Sequence, residues 1–312
     1  VVMPIDSGDI AAMASVPDFD RNNIENSLSS ENSPLVNKAL MSYSAGSVFK
    51  SIVAAYALET GISEELTYDC NGSIEVSGKK FICYGEASHG RLDMAGALQK
   101  SCNTYFINLM ERLDCAGFLS FCRELGFGQS IRLCDYIEAE KGLLPEQESL
   151  LYAGNRANFA FGQGDLLVTP LQAVKAYHVI ATGNLIEPRL IYGFCDGGGK
   201  ITLEEQETSQ GVLNEATAAK MRAMLYSVTE KGIATNAKSD FLSLAGKTGT
   251  AECGVYDENG REVFRTWFAG FYPADEPEYI VAVMNEDGVG GNADCAPVFR
   301  EICEGIEESK GG

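Results

Sequence analysis

The feature that most constrains this chain is a short polar step into a long apolar run. Gly46-Ser47-Val48-Phe49-Lys50 leads straight into Ser51-Ile52-Val53-Ala54-Ala55-Tyr56-Ala57-Leu58-Glu59, which ends at Thr60-Gly61. The run reads as a buried helix with Gly61 as its stop. Residues three apart share a helix face, so Ser47 and Lys50 project into the same space. A serine alcohol is a poor nucleophile until a base takes its proton. A lysine one turn along serves as that base where burial and a nearby cation keep its amine neutral. Ser47 also stands at the positive end of the helix dipole, which favours negative charge developing there.

By itself this spacing decides little. Ser77-Gly78-Lys79-Lys80 matches it too, in a glycine-flanked polar stretch that reads as a hairpin turn. For Ser47 and Lys50 alone, a helix cap and a snorkelling lysine are the simpler account. The rest of the chain has to arbitrate.

A chain of 312 residues with 45% hydrophobic content has enough apolar material for one large domain or two. Its net charge of −20 makes nucleic acid and anionic membrane surfaces poor partners. No run of 18 apolar residues is present, so nothing here spans a bilayer as a helix. No signal peptide precedes the strand-like opening Val1-Val2-Met3-Pro4-Ile5, and a fragment of a longer protein is expected. Ten cysteines are accompanied by only two histidines and by no Cys-x-x-Cys pair, which argues against a zinc site or any other metal site. Cys70 and Cys83 bracket the predicted hairpin and are the candidate disulfide pair; the other cysteines read as buried thiols.

Along the chain, residues 1–5 and 9–15 read as two strands joined by Asp6-Ser7-Gly8. Residues 17–37 read as a polar surface loop, and 66–90 as the small hairpin. Helices are expected over 93–100, 104–113 and 118–125, with Ser101-Cys102-Asn103 at the junction of the first two. Residues 140–145 and 155–165 read as loops. Thr169-Pro170-Leu171-Gln172 is a helix start with a capping-box pair, and that helix stops at Gly183. Asn214 caps another helix over 215–231. Three strands follow, over 243–252, 262–272 and 278–285, and a last helix over 297–308. Strands at both ends with helices between them place all strands most simply in one antiparallel sheet of an α+β fold. The result is two lobes with a cleft where they meet.

The first strand of the last set carries Lys247-Thr248-Gly249-Thr250, and Lys-Thr-Gly occurs once in the chain. On a strand, Lys247 and Gly249 point one way, Thr248 and Thr250 the other. Glycine at 249 allows a ligand or another backbone to approach closely. Ser47-x-x-Lys50 at a helix start, Ser101-x-Asn103 between helices and Lys247-Thr248-Gly249 on a strand, in this order, are the signature of penicillin-binding proteins and class A β-lactamases.

The chain resembles the transpeptidase domain of class B penicillin-binding proteins, the group that includes cell-division and sporulation transpeptidases. Further matches are Gly8-Asp9-Ile10-Ala11-Ala12-Met13-Ala14, His89-Gly90, Leu125-Gly126-Phe127-Gly128, Gly162-Gln163-Gly164 followed by Thr169-Pro170-Leu171-Gln172, Trp267-Phe268-Ala269-Gly270-Phe271 and Ala296-Pro297-Val298-Phe299. Gly-Gln-Gly and its following Thr-Pro helix are the most specific of these. Ala45 stands where many members have proline, and the resemblance implies a membrane anchor and an N-terminal non-catalytic domain outside this chain.

The resemblance implies a five-stranded antiparallel sheet flanked by helices plus a mostly helical lobe. One transpeptidase domain would cover 1–312, with a sheet lobe at about 1–44 and 233–312 and a helical lobe at about 45–232. It implies a peptidoglycan D,D-transpeptidase that forms an acyl-enzyme on Ser47 with release of D-Ala and is acylated by β-lactams. Lys50 would be the base, its amine depressed by Lys247. Ser101 would relay a proton, and Asn103 would hydrogen-bond Lys50 and the substrate amide. Lys247, Thr248 and Thr250 would hold the substrate carboxylate, with Gly249 giving clearance. The N–H groups of Ser47 and Thr250 would form the oxyanion hole. No cofactor is implied. The implied partners are peptidoglycan stem peptides, β-lactams and a lipid-linked glycan polymerase, at the extracytoplasmic face of the membrane.

Competing readings are a D,D-carboxypeptidase, a β-lactamase and a non-enzymatic penicillin sensor. No Glu-x-x-x-Asn occurs in 138–165 to orient a deacylating water as class A β-lactamases do, and the Gly-Gln-Gly and Thr-Pro-Leu-Gln stretches favour the transpeptidase class over the sensor. His89 and His178 read as structural, Cys102 as a packing thiol and Trp267 as sheet core.

Overall fold

The computed structural model describes residues 1–30, 32–203, 205–206 and 208–311. Four strands make the main sheet: β1 (Val2–Pro4), β2 (Ala245–Tyr256), β3 (Glu262–Tyr272) and β4 (Tyr279–Gly288). Their order is β1-β4-β3-β2, antiparallel throughout, with Val2 opposite Val281 and Lys247 opposite Ala269. The first and last strands of the chain thus share one sheet, as the sequence pattern requires.

The sheet has four strands among the described residues, against the five expected. The missing strand is the return arm of the N-terminal hairpin. Residues 9–15 touch β1 only through the bridge between Val2 and Ala12, while Asp9 bridges to Arg189. Ala11, Ala12 and Ala14 are exposed, and Ile10 and Met13 pack against the smaller core cluster rather than pairing with β1, so the ladder stops after one pair.

The helices are α1 (Lys50–Glu59), α2 (Met94–Gln99), α3 (Asn103–Met110), α4 (Cys115–Glu124), α5 (Ala153–Phe159), α6 (Pro170–Thr182), α7 (Glu215–Lys231) and α8 (Gly291–Lys310). The start of α6 is the predicted capping box. Thr169 Oγ1 accepts from Gln172 N at 3.0 Å, Gln172 Oε1 accepts from Thr169 N at 2.9 Å, and Gly183 ends the helix at φ +76°. Every α6 residue from Pro170 to Ala181 is buried, the mark of a helix inside the core rather than on it. Among the boundaries that differ from the pattern reading, two are those of α5 and α8. Helix α5 occupies the start of a stretch read as loop, and α8 begins at Gly291, ahead of the expected Pro297. The early start has a tertiary cause: Thr250 Oγ1 accepts from Gly291 N at 3.2 Å, and Asp294 Oδ2 accepts from Gly290 N at 2.8 Å.

Two neighbours on β3 show how the sheet is covered. Phe268 stacks on Phe299 of α8, ring centroids 4.3 Å apart. Trp267 points to the other face, where its Nε1 donates to Ser44 O at 2.9 Å, and it is fully buried. That second face carries the segment leading to Ser47. Among the described residues no helix is long and apolar enough to cross a membrane.

Candidate active site

Ser47 sits on a 3₁₀ turn, Gly46–Phe49, that runs into α1 at Lys50. A 3₁₀ helix has three residues per turn, so Ser47 and Lys50 lie one above the other. The turn is held from three directions. Gly46, at φ +57°, donates its N–H to Gly162 O at 2.9 Å. A Cβ at Gly162 would come within 2.0 Å of Gly46 O, so the Gly-Gln-Gly stretch forms the floor of the nucleophile turn. Tyr177 of α6 places its hydroxyl 3.1 Å from Val48 O and 3.0 Å from Ser51 Oγ. Against the sheet, a Cβ at Gly249 would meet Ala45 O at 2.9 Å and Val48 Cγ1 at 3.1 Å. Glycine at 249 therefore lets the Ser47 turn lie directly on β2.

Lys50 is fully buried. Its Nζ donates to Ser101 O at 2.7 Å, Ser101 Oγ at 3.1 Å and Asn103 Oδ1 at 2.6 Å, and stands 5.8 Å from the centre of the Phe106 ring. Burial pulls its pKa down from 10.5 to about 7, against an opposing pull from the Cys102 and Cys83 sulfurs. Lys247 is also fully buried. Its Nζ donates to the same Ser101 Oγ at 3.1 Å and to Thr248 O at 3.0 Å. Burial, and then the charge of Lys50, hold its amine well below the ordinary lysine value. The like-charge effect expected on Lys50 thus falls on Lys247, while Lys50 is depressed by burial.

Ser101 ends α2 in the left-handed conformation, φ +50°, a place glycine usually fills. Ser101 N donates to Leu98 O and Cys102 N to Ala97 O, closing the helix, and α3 starts at once with Cys102 as its cap. The strain is on the order of 1 kcal/mol. Asn103 anchors the turn through its Nδ2, which donates to Ile82 O at 2.8 Å.

Thr248 pairs with Phe268 and Thr250 with Thr266, so both threonines share the α8 face of the sheet. Thr248 is buried at 3% exposure and Thr250 Oγ1 already accepts from Gly291 N. Gly46 lies over the Thr250 carbonyl, where a Cβ would come within 3.0 Å of the oxygen, so the backbones of Ser47 and Thr250 are neighbours. The fold brings Ser47, Lys50, Ser101, Asn103, Lys247 and Gly249 together at one place. Pattern reading missed Tyr177, and the contact between Gly162 and Gly46; the Gly-Gln-Gly motif was the signal for the latter.

Two further expectations concern His178 and the cysteine pair. His178 is structural: Nδ1 lies 2.9 Å from Asn184 O and Nε2 2.8 Å from Ile5 O. Cys70 and Cys83, read as a disulfide pair, are free thiols with sulfurs 3.8 Å apart. Cys102 Sγ also lies 3.8 Å from Cys83 Sγ, and His89 Nδ1 lies 3.4 Å from Cys70 Sγ.

Residues 1–304 match the family model for the penicillin binding protein transpeptidase domain. Stage V sporulation protein D of Bacillus subtilis is 32% identical over 318 residues, 97% of this chain and 48% of that protein. Peptidoglycan D,D-transpeptidase MrdA of Acinetobacter baumannii is 28% identical, over 94% of this chain and 48% of its own length. The chain thus spans about half the length of these curated relatives. Among solved structures, the D,D-transpeptidase domain of a peptidoglycan glycosyltransferase from Eggerthella lenta superposes with a TM-score of 0.89 at 26% identity, over 99% of this chain and 77% of that one. Penicillin-binding protein A of M. tuberculosis, solved as an imipenem acyl-enzyme complex, gives 0.87 at 25% identity, over 98% and 72%.

Proposed function

The chain belongs to the penicillin-binding protein transpeptidase family, and from that premise we propose that it catalyses peptidoglycan D,D-transpeptidation through an acyl-enzyme on Ser47. The observation that carries this reading is the Ser101 hydroxyl held between two buried lysine amines, 3.1 Å from each. Two ammonium groups that close and that dry do not both keep their charge, so the site holds a neutral amine beside the candidate nucleophile at ordinary pH.

In the proposed reaction the neutral Lys50 amine takes the Ser47 proton as Oγ bonds to the carbonyl carbon of the penultimate D-alanine. The backbone N–H groups of Ser47 and Thr250 receive the oxyanion. The C–N bond to the terminal D-alanine breaks, and the proton passes from Lys50 through Ser101 to the leaving nitrogen. An acceptor amine of a second stem peptide then attacks the ester. Its proton returns to Ser47 by the reverse path as the C–Oγ bond breaks. Asn103 orients Lys50 and the donor peptide. Lys247 would face the terminal carboxylate, with Gly249 giving clearance, while the Thr248 side chain lies on the α8 face of the sheet. A β-lactam enters as a mimic of the donor and stops at the ester.

We read residues 1–312 as one transpeptidase domain, a sheet lobe at about 1–44 and 233–312 around a helical lobe at about 45–232. Its place of work would be the extracytoplasmic face of the membrane, beside a lipid-linked glycan polymerase, held there by an anchor outside this chain. Relatives named for peptidoglycan transpeptidation and sporulation support that setting. Intact-mass measurement after penicillin treatment tests the assignment. One penicilloyl adduct is expected on the wild type and none on Ser47→Ala; an adduct that survives the substitution removes Ser47 as the nucleophile.

A further inference from the structure

We propose that Cys70, Cys83, His89 and Cys102 form a tetrahedral zinc site that holds the Ser101–Asn103 turn in place. Their four donor atoms lie within 4.8 Å of one another. Cys70 Sγ is 3.8 Å from Cys83 Sγ and 3.4 Å from His89 Nδ1, and Cys83 Sγ is 3.8 Å from Cys102 Sγ. A tetrahedral ion bound at about 2.3 Å to sulfur and about 2.0 Å to nitrogen spaces sulfur pairs about 3.8 Å apart and sulfur–nitrogen pairs about 3.5 Å apart. A disulfide would draw two sulfurs to about 2.0 Å and leave the third thiol and the imidazole without a role.

The surroundings suit thiolates. Gly72 N donates to Cys70 Sγ and Tyr105 N to Cys102 Sγ, each at 3.4 Å. Thr104 Oγ1 lies 3.3 Å from Cys102 Sγ and 3.8 Å from Cys83 Sγ. Donors of this kind make up the outer shell of a metal–thiolate centre. A Cβ at Gly72 would come within 2.5 Å of Glu86 O, so glycine there lets the following loop fold over Cys70. The three sulfurs are buried and His89 is partly exposed, which gives an ion a way in.

The site explains how a poorly packed segment is fixed beside the catalytic turn. Between residues 71 and 89 only Gly72, Phe81 and Cys83 are buried, too little apolar surface to hold such a stretch firmly. Cys102 lies between Ser101 and Asn103, and Asn103 Nδ2 grips Ile82 O next to Cys83. A bound ion would therefore tie both ends of the turn to the 70–90 segment and keep Ser101 at its strained φ. The four ligands are positioning residues for Ser101 and Asn103.

The test is metal analysis of the chain purified under reducing conditions without chelator, followed by cobalt titration of the stripped protein. The expected result is one zinc ion per chain. Cobalt should give a thiolate-to-metal charge-transfer band and the intense visible absorption of a tetrahedral site. Loss of an outer-shell partner costs about 10–100-fold in metal affinity, so Cys102→Ser and His89→Ala should each cost more than ~100-fold. Cys115→Ser, on α4, should cost nothing. Stripping the ion should lower Tm and slow penicillin acylation, and zinc should restore both. The proposal is overturned if the reduced wild type takes up neither metal. It is also overturned if the isolated chain is two hydrogens lighter and indifferent to zinc, the signature of a disulfide. A cobalt spectrum untouched by His89→Ala, a change at a partly exposed position that leaves the fold intact, overturns it as well.

Discussion

Lys50 and Lys247, from a helix start and a sheet strand, reach the same oxygen: each Nζ lies 3.1 Å from Ser101 Oγ. The two amines share one dry polar site, and the one hydroxyl between them can pass a proton in either direction. The chemistry proposed for the chain depends on this arrangement.

Acylation should follow the titration of Lys50. Burial lowers its amine from 10.5 to about 7, so the rate of penicillin acylation should rise with pH and level off above a midpoint near 7. The same shift sets a stability trend. Between about 7 and 10.5 the unfolded chain holds a proton that the folded chain has lost, so this group's contribution to stability rises with pH across that window. A stopped-flow pH profile checks the first point. A rate flat from pH 6 to 9 would remove Lys50 as the base.

Ser101→Gly should separate strain from chemistry. Glycine adopts φ +50° without penalty, so Tm should hold or rise slightly. Losing the hydroxyl between the lysines should slow acylation by roughly 10²-fold or more. Ser101→Ala should show the same kinetic loss with a lower Tm. Equal Tm for the two variants would show that the turn is not strained.

Gly162→Ala should damage the active site from outside it. The new Cβ would need the space 2.0 Å from Gly46 O, at φ +80°. Either the Gly46 turn moves or the 162 backbone does. Displacement of Ser47 by about 1 Å is enough for a roughly 10²-fold loss of acylation. Gly154→Ala, where a Cβ meets nothing, is the control.

The penicilloyl adduct should persist. No Glu-x-x-x-Asn stands in 138–165 to orient a deacylating water. Mass spectra taken over hours should show the adduct decaying slowly, without repeated turnover of penicillin. Loss within seconds would favour the β-lactamase reading.

Much of this molecule was legible in the chain because it rests on local relations. The Thr169–Gln172 capping box, the glycine stops at 61 and 183, and the placing of Ser101-Cys102-Asn103 between helices follow from spacings of three or four residues and from glycine's freedom at positive φ. The nucleophile turn and the Lys-Thr-Gly strand were visible for the same reason, and their order in the chain carried the family.

Other features exist only once distant segments meet. The fifth strand does not form because residues 9–15 turn away after one bridge to β1, with Asp9 bridging to Arg189 and Ile10 and Met13 packing on a separate small cluster, which no alternation pattern reveals. Gly162 matters because it lies under Gly46, and Thr250 sets the start of α8 because the sheet carries it to Gly291. Cys70, Cys83, His89 and Cys102 have no metal-binding spacing along the chain. Two short ribbons and the helix junction at Ser101 fold them into one cluster. Sequence fixes which groups are present and how each short segment bends. The lowered pKa of Lys50 and the partner of each cysteine are set by what long-range packing excludes from water and by which atoms it leaves within reach.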